Sequence, residues 1–420
     1  MFENIIGHTA TVAHLKELLI QDRMPQALLL SGERYSGKLT IALEAARALM
    51  CENPQAPWGC MCNSCEQHRR LTHPQLLLMG NRNFVEELTA AREALLRDPC
   101  QGTRYLFGRA VRKLMNRFNP VLWEGEERRL SGAASSIESV METVEEIFPE
   151  QATRPTQATR PTQADAPKLR KAAELVYNKS LSILDKMPGD LLHVESIRRM
   201  NFWVHMSFHS GAKVIILEHV ETLNDSQRNL LLKTLEEPPQ NVHFLLTTSK
   251  RTAILPTILS RVRTVQLVKR GMDEEKKVLQ RVFRLPADMP VEGQPLVAFF
   301  RGIISPNLIS VKGASERWAR HLVGVVENRS GIPEEDLPGI SDTTGAEQRE
   351  AGVLLLRLIV EALRRNFHDE VQGGGVSAEQ TLRFRRVLCD IDDALHAMAE
   401  LNMNAAQVLE GLWFRENAFA

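Results

Sequence analysis

The stretch from Lys213 to Leu267 constrains the fold more than any other part of the chain. Val214 to Leu217 is a short apolar run, partly β-branched, which suits a strand buried on both faces. Glu218 stands at its C-terminal end, where open α/β sheets place their ligand chemistry. Asn229 to Leu235 has helical composition, and Pro238-Pro239 forbids its continuation. Val242 to Leu246 reads as a second apolar strand, ending in the hydroxyls of Thr247, Thr248 and Ser249. An apolar ILPTIL segment then leads to Ser260 and Arg261 on a polar turn.

A second constraint lies near the N-terminus. Ala27 to Leu30 reads as a strand that runs into GERYSGKLT, from Gly32 to Thr40, and then into a helical IALEAARALM. Strand, glycine-bracketed loop and helix is the context of a P-loop. Its backbone amides and helix N-terminus cradle phosphates, and its lysine reaches the terminal ones. Gly32, Ser36, Gly37 and Lys38 fill that pattern. The position after the lysine calls for Ser or Thr to ligate magnesium, but holds Leu39. The hydroxyl arrives one residue late at Thr40, a rotation of about 100° along a helix.

The order LLKTLEEPP, then TILSR, at this separation resembles the AAA+ clamp-loader subunits of bacterial DNA polymerase III. The resemblance implies an α/β AAA+ P-loop domain, a small helical lid and a C-terminal helical collar. Active members of that family end the central strand in an Asp-Glu pair, which serves magnesium and the attacking water. The matching positions here are Glu218 and His219, and a histidine is a poor substitute for a carboxylate that orients water. Arg261 matches the family's Ser-Arg-Cys motif, with Val262 in place of the cysteine. In relatives that arginine points at a neighbouring subunit's nucleotide, a task suited to a forked, permanently charged guanidinium. Ser249 aligns with the polar sensor position.

Cys51, Cys60, Cys62 and Cys65 fall within fifteen residues after the P-loop helix. Four thiolates at such spacing suit a closed structural zinc site with no open catalytic position. The family carries a module here with two residues between its second and third cysteines. This chain has Met61 alone, a tighter bite. The cysteine usage fits a reduced cytoplasmic compartment, and the polar N-terminus is no signal peptide. No apolar run is long enough to cross a membrane. The 52 basic and 52 acidic residues balance, so any DNA contact must come from a local patch or a partner.

The domain boundaries that follow are 1–269 for the AAA+ domain, with the cysteine module at about 51–65. The lid spans 270–312 and the collar 313–420. Residues from about 80 to 189 are extra by the resemblance. They hold helical patterns, the tandem hexamer QATRPT at 151–162 that reads as a linker, and the basic YLFGRAVRKLMNRF. That basic helix suits either a solvated face or a DNA or partner surface. The terminal EQREAGVLLLRLIVEALRRNF and AEQTLRFRRVLCDIDDALHAMAEL carry long apolar stripes.

The expected role is a delta-prime-like subunit with weak or absent ATPase activity, ATP/Mg²⁺ as a possible ligand, and structural Zn²⁺. Its partners would be gamma/tau-type and delta-type subunits, the sliding clamp, and primed DNA through the assembled complex. The competing readings are a gamma/tau-type clamp-loader ATPase and another DNA-remodelling AAA+ ATPase.

Overall fold

The computed structural model describes residues 1–147, 166–186, 192–208, 211–286, 295–304, 318–319, 322, 345–372, 377–399 and 403–417. The hexamer repeat at 151–162 lies outside them, as do 287–294 and 305–312 of the expected lid. The chain divides into two compact units, Met1–Ala298 and Phe299–Ala420.

The first unit is built on five parallel strands: β1 (Ala27–Ser31), β2 (Leu76–Gly80), β3 (Lys213–Glu218), β4 (Val242–Thr248) and β5 (Arg263–Gln266). Their order across the sheet is β2-β3-β4-β1-β5, so β1 sits between two strands that follow it by some two hundred residues. Parallel neighbours need crossover connections, and the helices of those crossovers cover both faces. The strands show it by alternation. Leu28, Leu30, Leu76, Leu78, Val214, Ile216 and Leu245 enter one apolar core. Their neighbours Leu29, Leu77, Met79, Ile215, Leu217, Phe244 and Leu246 enter the other. Strands β1, β3 and β4 fall where the apolar runs predicted them, β2 and β5 are additional, and the whole is the expected α/β P-loop architecture.

Helices α1 (Thr9–Ile20) and α2 (Lys38–Met50) cover the first face. The short α3 (Asn63–Arg69) is capped by Cys62 and carries Cys65 in its first turn. The second face is covered largely by helices from the 80–189 segment. These include α4 (Phe84–Arg97), α5 (Gln101–Met115), α6 (Pro120–Trp123), α7 (Glu127–Leu130), α8 (Ala134–Ile147) and α9 (Ala166–Lys186). Phe84, Leu88, Phe107, Val111 and Val140 are all buried there beside the strands. Each such side chain contributes about 1.5–3 kcal/mol, so these helices are part of the fold rather than a separate appendage. Helices α10 (Val194–His205), α11 (Asp225–Glu236) and α12 (Pro256–Leu259) complete that layer, and α13 (Met272–Arg281) follows β5.

Strand register brings the functional positions together. Ser31 pairs with Thr248, Leu217 with Leu246, and Gly80 with Glu218, so β1 to β4 end along one edge of the sheet. Gly80 has φ 107°, and a Cβ on it would lie 2.3 Å from the Glu218 carbonyl oxygen. Only glycine permits that approach.

The second unit is helical, with Gly345–Gln372, Ala378–Ala399 and Ala405–Asn417 closing on Trp318, Leu355, Ile359, Leu363, Ile391 and Leu409. The apolar stripes of the terminal helices are therefore internal core. Among the described residues of this unit, Glu416 is a buried carboxyl, pushed up to about 7 by burial and by Asp390. A carboxyl raised in the folded state stabilises the fold fully below the ordinary carboxylate range. That contribution is lost as pH rises through about 7. The thermal stability of this unit should fall as pH rises from about 5 to about 8, and Glu416→Gln should flatten the dependence.

Candidate functional site

The P-loop joins β1 to α2. Gly37 caps the helix at φ 87°. Lys38 Nζ is buried and donates to the carbonyls of Gly32 (2.7 Å) and Glu33 (2.6 Å), with Ser36 Oγ at 3.5 Å. Burial pulls its pKa down to about 8 against the opposing pull of Glu221 and Glu218. Arg270 braces the loop from the segment after β5. Its Nε donates to Ile6 O at 3.0 Å and its Nη1 to Tyr35 O at 2.8 Å. Its Nη2 lies 2.5 Å from where a Cβ on Gly37 would stand, so guanidinium and glycine occupy complementary space. Leu39 is buried in the α2 core, and Thr40 is exposed. Neither offers a hydroxyl at the position a magnesium ligand would take.

At the end of β3, Glu218 is 2% exposed and both its oxygens are engaged. Oε2 accepts from Arg82 Nη1 and Oε1 from Arg117 Nη2, each at 2.5 Å. Arg82 also pairs with Glu87 at 2.9 Å, and Lys113 bonds to Glu87. Burial alone would raise the Glu218 and Glu87 carboxyls. The surrounding cations overcome it, lowering Glu218 and bringing Glu87 to about 2. A cation at this edge would have to displace an arginine to reach Glu218.

His219 adopts the left-handed conformation, φ 53°. Its Nδ1 lies 3.2 Å from Glu221 Oε1, and its amide donates to Thr247 Oγ1 at 3.3 Å. Ser249 donates its backbone N–H to the same Glu221 oxygen at 2.9 Å. Burial raises Glu221, but these hydrogen bonds outweigh it and hold the carboxyl at about 2. Glu221 thus links the His219 and Ser249 positions, which the sequence treated as separate. The acidic residue three places beyond Glu218 was the available signal. Arg82, Arg117 and Arg270 had none, since Arg82 and Arg117 meet Glu218, and Arg270 meets Tyr35, across more than a hundred residues.

Arg261 lies on the turn after α12, outside this cluster and 30% exposed. Its Nη1 donates to Thr257 O at 2.7 Å, and its Nη2 pairs with Glu236 at the end of α11. Val262, in the cysteine's place, is buried in the core. The sequence site residues therefore form two groups. The P-loop, Glu218, His219 and Ser249 share the sheet edge, and Arg261 stands on its own turn.

The four cysteines form a third group. Their sulfurs all lie within 4.8 Å of one another. Cys51 Sγ is 3.6 Å from Cys60 Sγ and 3.9 Å from Cys62 Sγ. Tetrahedral Zn–S bonds of about 2.3 Å require sulfur separations of about 3.8 Å, so the donor set fits zinc. Met61 alone between Cys60 and Cys62 does not prevent that fit.

The basic helix α5 turns its charges inward. Arg109 donates to Arg69 O at 3.2 Å and Arg112 to Arg70 O at 2.7 Å. Arg112 also pairs with Glu145, and Lys113 with Glu87. Arg112, Lys113 and the following Arg117 are thus drawn into the fold rather than presented as a solvated face.

A parallel sheet with a P-loop, a sheet-edge acid and an arginine-bearing turn defines an AAA+-type α/β protein. Residues 7–107 and 142–270, more than half the chain, match the family described as DNA polymerase III, delta subunit, and the chain belongs to that family. The chain is 51% identical over 51 residues to DNA polymerase III subunit delta' of Yersinia pestis, covering 12% of this chain and 15% of that protein. It is 30% identical over 118 residues to subunit delta' of Pseudomonas aeruginosa, covering 25% and 36%. Against DNA polymerase III subunit tau of Escherichia coli it is 37% identical over 70 residues, covering 17% and 11%. The matched segments thus span well under half of each relative. The family match leaves 108–141 unmatched, and Arg117 comes from that stretch.

Removing the Glu218 charge leaves two arginines without their counter-charge. Glu218→Gln should lower stability by about 3–5 kcal/mol in urea unfolding, as when one half of a buried ion pair is lost. Unchanged stability would show that Glu218 does not anchor Arg117.

Proposed function

We propose that this chain acts in DNA replication as a delta-prime-like subunit of the DNA polymerase III clamp loader. It would help load the sliding clamp on primed DNA and present Arg261 to the nucleotide of a neighbouring ATPase subunit. The observation that carries this reading is the contrast between its two arginine settings. Arg117 and Arg82 occupy the chain's own acidic position, while Arg261 stands part-exposed on a turn. Family membership supports it. Its partners would be gamma/tau-type and delta-type subunits, the clamp, and DNA through the assembled complex. Its place would be the cytoplasm, with the nucleoid's replication machinery. Residues 1–269, 270–312 and 313–420 would serve as AAA+ domain, lid and collar.

Productive Mg-ATP hydrolysis by the chain itself is disfavoured by three features. Leu39 is buried in the core, Glu218 is engaged on both oxygens, and His219 is turned to Glu221. The segment similar to subunit tau favours a gamma/tau-type ATPase as the second reading, and the same features weigh against it. Hydrolysis by the purified chain that Lys38→Ala abolishes would establish that second reading. In a loader reconstituted with a gamma/tau-type subunit, Arg261→Ala should slow single-turnover hydrolysis at the site it faces by about 10³-fold. Unchanged turnover would remove the trans-arginine role.

Cys51, Cys60, Cys62 and Cys65 would hold one Zn²⁺, which supplies a cross-link rather than catalysis. The chain purified under reductant should carry one zinc. A strong chelator should lower its melting temperature and added zinc should restore it. A metal-free preparation of equal stability would reject the site.

A further inference from the structure

The cysteine group does not stand alone. Arg47, in α2, is fully buried and every one of its nitrogens has a partner. Its Nη1 donates to Cys65 Sγ at 3.1 Å. Nε and Nη2 clasp Glu44 at 3.0 and 2.7 Å, and Nη2 also donates to Ala56 O at 2.6 Å. Ala56 belongs to the loop between Cys51 and Cys60. One side chain therefore touches a sulfur donor and the loop that connects two others. Trp58 in the same loop receives Arg47 and Arg69 over its ring, with guanidinium carbons 5.7 and 5.4 Å from the centroid. Arg69 also donates to Trp58 O.

The chemistry of the donor set gives this contact a purpose. Four thiolates around a divalent cation carry a net charge of minus two. An N–H donated to a thiolate spreads that charge and fixes the sulfur's direction, as hydrogen bonds to metal ligands generally do. Arg47 suits the task because Glu44 holds its fork rigid and offsets its charge in the interior. Glu44 extends the chain of contacts, since its Oε1 accepts the Phe2 backbone N–H at 2.9 Å.

We propose that Arg47 is the positioning residue of the thiolate site and that, through Glu44, it couples metal binding to docking of the chain's first residues on α2. The proposal rests on the reading of the four cysteines as a site for a soft divalent cation. It adds the path by which occupancy reaches the helix that begins at the P-loop lysine. Metal binding orders Cys65 against Arg47, Arg47 holds the Cys51–Cys60 loop, and Glu44 holds Phe2.

The test uses the full chain under reductant, as wild type, Arg47→Lys and the double variant E44Q/R47M. The double variant removes both halves of the buried pair, so no unpaired charge is left to unfold the domain. Zinc affinity is read by competition with a chromophoric chelator. Cobalt(II) loading reads the thiolate-to-metal charge-transfer band. Hydrogen exchange reads residues 1–3 with and without zinc. The double variant should bind zinc about 10- to 100-fold more weakly, with a shifted band. Arg47→Lys should recover part of the affinity, because it keeps a donor near Cys65. Zinc should slow exchange at Phe2 in the wild type and not in the double variant. Equal affinity and an unchanged band in the double variant would overturn the positioning role. Zinc-independent exchange at Phe2 in the wild type would overturn the coupling. A wild type that takes up neither zinc nor cobalt would reject the thiolate site itself, a distinct result.

Discussion

The buried carboxylate of Glu218 depends on two guanidinium groups, and much of the first unit is arranged around that dependence. A carboxylate 2% exposed cannot stay charged without close partners, because burial in a low-dielectric interior penalises the ion. Arg82 arrives from just beyond β2 and Arg117 from the short turn, Asn116–Phe118, that follows α5. For both to reach, α4 and α5 must pack on the sheet with their apolar faces inward, as Phe84, Phe107 and Val111 do. The ion pairs and the apolar layer thus require each other. Gly80 belongs to the same arrangement, since any side chain there would push β2 away from Glu218.

That arrangement changes what the sheet edge can do. In a hydrolytic site the acid at the end of the central strand must keep an oxygen for a metal ion. Here the place of the metal's charge is taken by arginines supplied by the chain itself. Lys38 and Arg270 are likewise turned onto backbone carbonyls of the P-loop and the N-terminal segment. Arg261 differs because its partners, Glu236 and Thr257, leave it part-exposed on a turn.

The cysteine module and the sheet edge are two ends of one helix. α2 begins at Lys38 in the P-loop and carries Glu44 and Arg47 toward Cys65. A cross-link at its far end would limit how the helix tilts, and with it the loop at its start.

By itself the sequence determined strands β1, β3 and β4, the P-loop, the cysteine group and the arginine turn, because each is written in contiguous residues with a local physical signature. Apolar runs declared three of the buried strands, glycine spacing the phosphate loop, and cysteine spacing the four-thiol group. Leu39 already told that the magnesium hydroxyl was missing, since its place is set by helical rotation from Lys38. Only the tertiary structure decided what Glu218 does, which way the charges of α5 face, and that Glu221 joins His219 to Ser249. The reason is separation along the chain. An arginine 101 residues from its carboxylate leaves no periodicity or motif in the sequence, and the pairing exists only once the sheet and the helices over it have packed.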